Sequence, residues 1–264
     1  MNIDLKGKKA LVCGSTQGIG KAAALKLAAC GASITLAARN EDSLQMVINE
    51  LEANDEQAHS FICADFDSSE VLINKVTDFI NENSPIHILV NNTGGPAPGP
   101  VMDAIPQEYI DGFKRHLINN HNLAKALIPG MKSITYGRII NIISTSVKQP
   151  IPDLGVSNTI RGAVAGWAKT LATEVGSFGI TVNNILPGFT NTARLKSLIK
   201  SIAEKKEKSI AEVTQEIESS VPVGRFADPD ETADAVVFLA SPQAGYINGI
   251  NLPVDGGRTQ SLLI

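Results

Sequence analysis

Lys9-Ala10-Leu11-Val12-Cys13 runs directly into Gly14-Ser15-Thr16-Gln17-Gly18-Ile19-Gly20, and Lys21-Ala22-Ala23-Ala24-Leu25-Lys26-Leu27-Ala28-Ala29-Cys30 follows. The first five residues form a short apolar strand. The last ten are good helix formers, and Gly31 is a natural stop. Between them lies the pattern GxxxGxG. Glycines let the backbone turn sharply and let a pyrophosphate come close. The helix that opens there presents free N–H groups and a partial positive charge to phosphate. A glycine loop between a strand and a helix therefore predicts a dinucleotide cradle, with Gly14, Ser15, Thr16, Gln17, Gly18, Ile19 and Gly20 as its contacts.

Outward from the loop, apolar runs alternate with amphipathic ones. Strands are expected at Ser33–Ala38, 60–64, 86–91, 139–143, 181–186 and 250–254, with helices at 41–53 and 69–81. Ile86–Asn91 is almost wholly apolar, which fits a central strand buried on both faces, and 139–143, 181–186 and 250–254 look similar. The alternation predicts an α/β fold: one doubly wound, Rossmann-type parallel sheet with helices on both faces, spanning 1–264 as a single domain. Residues 195–220 form a charged, helical excursion that reads either as a solvated helix or as a lid over a substrate pocket. The loop 94–100, GGPAPGP, is too short to be a domain linker.

The bulk composition narrows the partners. The chain has 264 residues, 43% of them hydrophobic, enough for a sizeable core. Its formal charge of −4 lacks the basic excess of a nucleic-acid protein. No apolar run approaches the ~20 residues that span a bilayer, and no secretory leader is evident. Cys13, Cys30 and Cys63 form no CxxC pair, which fits free thiols in a reducing compartment. The expectation is a cytoplasmic protein with no nucleic-acid or membrane partner.

The end of the second strand should read the adenine ribose. An acidic residue there would bind a 2′-hydroxyl and repel a 2′-phosphate. The chain has Ala38-Arg39-Asn40 instead. The planar fork of Arg39 suits a phosphate, so NADP(H) is favoured and NAD(H) stays possible.

With these residues in view, the chain resembles the short-chain dehydrogenase/reductase family over nearly its whole length. The glycine loop matches. So do Asn91-Asn92-Thr93-Gly94, Ala64-Asp65, Pro187-Gly188-Phe189-Thr190-Asn191-Thr192, Gly224-Arg225, Tyr246-Ile247-Asn248-Gly249 and Val254-Asp255-Gly256-Gly257. Within the family it is most similar to β-ketoacyl-acyl-carrier-protein reductases. The resemblance implies about seven parallel strands and a homotetramer or homodimer. It also implies hydride transfer between a nicotinamide and a carbonyl or alcohol carbon of a small molecule or acyl-carrier substrate. It adds Asp65, Phe66, Asn91, Thr93, Gly94, Pro187, Gly188, Thr190 and Thr192 to the cofactor contacts, with Asn40 beside Arg39.

One part of the resemblance fails. The family's catalytic serine is present as Ser144. Thirteen residues later its tyrosine is replaced by Ser157, and its lysine by Arg161. His116 falls near the family's asparagine. Tyrosine has an ordinary pKa near 10 and can be tuned toward neutrality, whereas a serine hydroxyl is far weaker. Arg161 stays protonated but can still donate to ribose hydroxyls. The candidate catalytic set is therefore Ser144, Ser157, Arg161 and His116. Ser144 can bind a carbonyl oxygen or cap the next segment. His116 can supply a proton or be a structural histidine. His116 and His121 are five apart with no acid or thiol beside them, so no metal site is read. Three functions stay open: a reductase with a rearranged proton donor, which the retained motifs favour; a cofactor-binding protein without turnover; and a structural subunit of an active partner.

Overall fold

The computed structural model describes residues 2–83 and 85–262, so both ends of the 1–264 span lie outside the described residues. Seven strands form one sheet in the order β3-β2-β1-β4-β5-β6-β7. They are β1 Lys9–Cys13, β2 Ser33–Ala38, β3 Ser60–Cys63, β4 Ile88–Asn91, β5 Gly137–Ile142, β6 Ile180–Pro187 and β7 Asn251–Val254. Every pairing is parallel. Parallel neighbours need crossovers, and helices supply them: α1 Gly18–Ala29, α2 Glu41–Ile48, α3 Ser69–Asn83, α4 Pro106–Phe113, α5 Asn119–Ser133, α6 Gly155–Val175, α7 Ala193–Lys206, α8 Ile210–Ser219 and α9 Pro229–Ala240.

The chain winds from β1 to β2 and β3, then returns to place β4 on the other side of β1. Val12 is in register with Leu36 on one side and Val90 on the other. The loops leaving β1 and β4 therefore part in opposite directions and open a crevice beyond the strand ends.

Each face of the sheet has its own core. On one, Leu27 and the alanines of α1 pack with Ala233, Val236 and Ala240 of α9 over Val12, Leu36 and Val90. The small side chains of α1 allow the close approach. On the other, Leu72, Val76, Leu123, Leu127 and Ala168 from α3, α5 and α6 cover Leu11, Leu89 and Ile139. Complete burial of a Leu, Ile or Val contributes about 1.5–3 kcal/mol.

The alternation expected from the sequence is present, with several ends adjusted: β4, for example, begins at Ile88 rather than at 86. α2 stops at Ile48, short of 53, because Asn54, Glu56 and Gln57 form their own hydrogen-bonded turn. β5 begins at Gly137 and β6 runs to Pro187, each a little longer than its apolar run. The excursion at 195–220 is a helical pair, α7 and α8, closed on itself by Leu195, Ile199, Ala203 and Val213.

A polar ribbon crosses the sheet. Asn91, Asn141, Asn184 and Asn251 stand side by side on β4 to β7. Asn91 Nδ2 donates to Asn141 Oδ1 at 2.9 Å, Asn141 Nδ2 to Asn184 Oδ1 at 2.8 Å, and Asn184 Nδ2 to Asn251 Oδ1 at 2.8 Å.

Candidate active site in the crevice

A cavity of about 590 Å³ fills the crevice at the carboxyl ends of the strands. One end of it is the glycine loop. Gly14 and Gly18 take φ of +59° and +54°, a region that disfavours any side chain. A Cβ on Gly20 would meet the Gly14 carbonyl at 2.2 Å and Asn92 Nδ2 at 2.6 Å. Asn92 Nδ2 donates to Gly14 O at 3.1 Å and so pins the loop from the β4 side. The loop thus holds the N-terminus of α1 bare toward the cavity, as an anion requires. Across from it, Thr192 lies 3.1 Å from where a Gly18 Cβ would stand.

The expected cofactor residues divide into two sets. Gly14, Thr16, Gln17, Gly18, Ile19, Arg39, Asp65, Phe66, Thr93, Gly94, Pro187, Gly188, Thr190 and Thr192 line the cavity. Ser15, Gly20, Asn40 and Asn91 stand behind its wall and hold it in shape. Ser15 Oγ is buried and accepts from Ala37 N at 3.1 Å. Asn40 Oδ1 caps α2 by accepting from Ser43 N at 2.7 Å. Asn91 lends its amide to the asparagine ribbon, and its Oδ1 is buried without a partner. These four do not line the cavity: Ser15 Oγ and Asn40 Oδ1 accept from within the protein, Asn91 Nδ2 is held in the ribbon, and at Gly20 there is no room for a side chain.

The expected catalytic residues divide as well. Ser144 and Arg161 line the cavity. Ser144 also caps the turn Thr145–Val147, its Oγ accepting from Ser146 N at 3.1 Å. Arg161 is 8% exposed and donates from Nη1 to Ile142 O at 3.0 Å, while its Nε has no partner. Burial, and then the charge of Arg194, lower its pKa to about 10, so it remains a cation at neutral pH. Ser157 is buried and off the cavity wall. Its hydroxyl is also a far weaker acid than a tyrosine's. Its neighbour Asn158 is spent on Ile151 O, at 2.8 Å.

His116 lies on a π-helical turn, Lys114–Ile118, between α4 and α5, and is buried. It stands behind the lining residues, and its Nε2 has no partner. Burial pushes its pKa down to about 2, helped by Arg161, Arg115 and Arg194 and opposed by a backbone hydrogen bond with Gly94. The imidazole is therefore neutral near pH 7 and is no ready acid, which corrects the simplest form of the proton-donor role.

Sequence reasoning passed over Arg194 and Arg258. Arg194, on α7, donates to Gly95 O at 3.1 Å and Pro96 O at 2.9 Å, bridging the crevice. Arg258 donates to Thr145 Oγ1 at 3.2 Å and lies over the Phe189 ring at 4.5 Å. Their signal was position alone: Arg194 follows Thr192 by two residues, and Arg258 follows Gly257. Among the described residues no group of three or more His, Cys, Asp or Glu could hold a metal, and no helix is long and apolar enough to cross a membrane.

The enoyl-(acyl carrier protein) reductase family model matches residues 14–259, from the glycine loop to beyond β7. The chain belongs to the short-chain dehydrogenase/reductase family. This short-chain dehydrogenase/reductase is 37% identical to the 3-oxoacyl-(acyl-carrier-protein) reductase FabG of Vibrio cholerae, over 97% of this chain and 98% of the relative. It is 28% identical to the NADPH-dependent reductase BacG of Bacillus subtilis, over 97% and 99%. Among solved structures it is similar to L-sorbose reductase of Gluconobacter frateurii, complexed with NADPH and L-sorbose, with a TM-score of 0.92 and 31% identity over 99% and 100% of the two chains. It is also similar to YwfH, an NADPH-dependent reductase of bacilysin biosynthesis, with a TM-score of 0.91 and 28% identity over 97% and 99%.

Proposed function

We propose that the protein is an NADP(H)-dependent oxidoreductase that moves a hydride between a nicotinamide and a carbonyl or alcohol carbon, most like a 3-oxoacyl-(acyl-carrier-protein) reductase. The observation that carries this is the crevice itself. A glycine cradle at a helix N-terminus, an arginine at the end of β2 and a serine at the end of β5 face one cavity. In this reading the chain works as one catalytic unit that assembles as a homotetramer or homodimer. Helices α7 and α8 form a lid, since Leu195 and Leu198 already face the cavity.

The residues present fit the cofactor. The Gly14–Gly20 loop and the start of α1 would hold the diphosphate, Arg39 the 2′-phosphate, Asp65 and Phe66 the adenine end, and Arg161 the nicotinamide ribose. Thr190 and Thr192 would meet the carboxamide side. When bound, the nicotinamide supplies or accepts the hydride. Ser144 then orients the carbonyl oxygen. Among the described residues no Tyr, His, Lys or Cys lines the cavity to serve as the acid: Arg161 stays charged at about 10, and His116, behind the wall, is already neutral at about 2. Water reaching Ser144 then donates the proton. General acid catalysis typically contributes ~10²–10⁴-fold, so turnover is expected to be slower by about that factor.

The same missing acid favours a second reading, a protein that binds NADP(H) without turnover. Titration with NADPH and NADH, followed by acetoacetyl-thioester, tests the first. Saturable NADPH binding with loss of absorbance supports it. Binding with no turnover across a carbonyl panel favours the second, and absence of NADPH binding overturns both.

A further inference from the structure

Beyond Ser144, the cavity carries three guanidiniums, Arg161, Arg194 and Arg258, and no carboxylate lines that half. Asp65 and Asp67 lie at the opposite end, where Asp67 is paired with Arg115 at 2.5 Å. Among the described residues none of the three arginines makes an ion pair. Asp255, near Arg258, already accepts from Gly257 N at 3.0 Å and Thr259 N at 2.8 Å.

Arg161 and Arg194 converge. From the point where a Cβ on Gly95 would stand, Arg194 Nη2 is 3.0 Å away and Arg161 Nη2 is 3.4 Å away. A guanidinium has five N–H donors. Arg194 uses two on the carbonyls of Gly95 and Pro96, and Arg161 uses one on Ile142. The buried Arg161 Nε is left without a partner. Two cations this close raise each other's energy, and an uncompensated buried charge is costly. An anion between them would relieve both, in the planar geometry that arginine reads well.

We infer that the substrate carries a carboxylate close to its reacting carbonyl, held by Arg194 and Arg161 with Arg258 as the third cation. This rests on the hydride-transfer part of the reading above and departs from its acyl-thioester likeness, because a thioester carries no carboxylate there; the substrate class it names is a keto acid or the matching hydroxy acid. The competing source of negative charge is the cofactor's own diphosphate. Its place, however, is the start of α1, whereas Arg194 grips Gly95 and Pro96 beyond Gly94, and Arg258 bonds Thr145 beside Ser144.

The test separates binding from turnover. With the protein saturated in NADP⁺, acetoacetate and 4-oxopentanoate are titrated by calorimetry against their methyl esters, which keep the ketone and lose the charge. The acids should bind about tenfold or more tightly than the esters. That preference should collapse in Arg194→Gln and survive in part in Arg194→Lys, with the NADPH dissociation constant moved by less than about twofold. Equal affinity for acid and ester, or no binding of either, overturns the inference. So does an Arg194→Gln variant that weakens NADPH and leaves the preference intact, since the anion would then be the diphosphate. Folding of each variant is verified by its NADPH titration. Loss of NADPH binding in the unmodified protein would sink the oxidoreductase reading instead, and acid preference without turnover would leave the anion site standing without the activity.

Discussion

Residue 157 carries the sharpest chemical departure, because a serine hydroxyl is a far weaker acid than the tyrosine it replaces. Ser157→Tyr with Arg161→Lys is expected to raise the rate of ketone reduction by about 10²-fold or more, within the usual range for a general acid, as read from initial rates with NADPH. No gain would mean that the proton is not what limits the reaction. At Arg39, replacement by Asp should weaken NADPH and improve NADH in paired titrations, because a carboxylate repels the 2′-phosphate and accepts from the 2′-hydroxyl. Unchanged preference would remove Arg39 from the cofactor site. His116 gives a pH prediction. Its pKa is 6.5 when unperturbed and about 2 in the fold. Below pH 6.5 the unfolded chain holds a proton that the folded one refuses, so stability is full above that value and falls by about 1.4 kcal/mol per pH unit beneath it. His116→Asn should therefore reduce the loss of stability between pH 7 and pH 5 by about 2 kcal/mol in urea unfolding. His87, at about 4, works in the same direction and remains in the variant.

At the scale of elements, the asparagine ribbon ties four strands together just below the crevice. Asn141 is 0% exposed and serves both neighbours, accepting from Asn91 and donating to Asn184. Asn141→Leu would strand two buried polar groups, each costing about 1–3 kcal/mol, so a loss of about 2–6 kcal/mol is expected in denaturant titration. A loss under about 1 kcal/mol would mean that water or a local shift replaces the ribbon. The ribbon also shows where sequence reasoning stops. Asn91 was legible as a motif residue, but its partners depend on parallel register, which links residues fifty and forty-three positions apart. The turn of the glycine loop was legible, because its constraint is local: a strand, a tight turn and a helix in succession; that Ser15 and Gly20 stand behind the wall was not. α2 was overextended because nothing in the run after Ile48 forbids a helix until the turn at Asn54 competes for its hydrogen bonds.

For the whole molecule, the sheet order matters more than any one strand. The reversal beside β1 sends the β1 and β4 loops apart and makes the crevice. Strand and helix alternation made that architecture readable in advance. The charge layout was not readable. A chain with formal charge −4 concentrates at one end of one cavity three arginines that make no ion pair among the described residues, and they come from α6, from α7 and from the segment after β7. Only folding brings them together. The excursion at 195–220 is a similar case: in isolation it reads either as a solvated helix or as a lid, and only the fold shows that Leu195 and Leu198 of α7 line the cavity. The most direct measurement is isotopic: incubate the protein with NADPH deuterated at nicotinamide C4 and a panel of 3-oxo acids and thioesters, and locate the deuterium by mass spectrometry. Deuterium on the former carbonyl carbon of a product is the expected result. Saturable NADPH binding with no deuterium transferred to any member of the panel would contradict the assignment as a reductase.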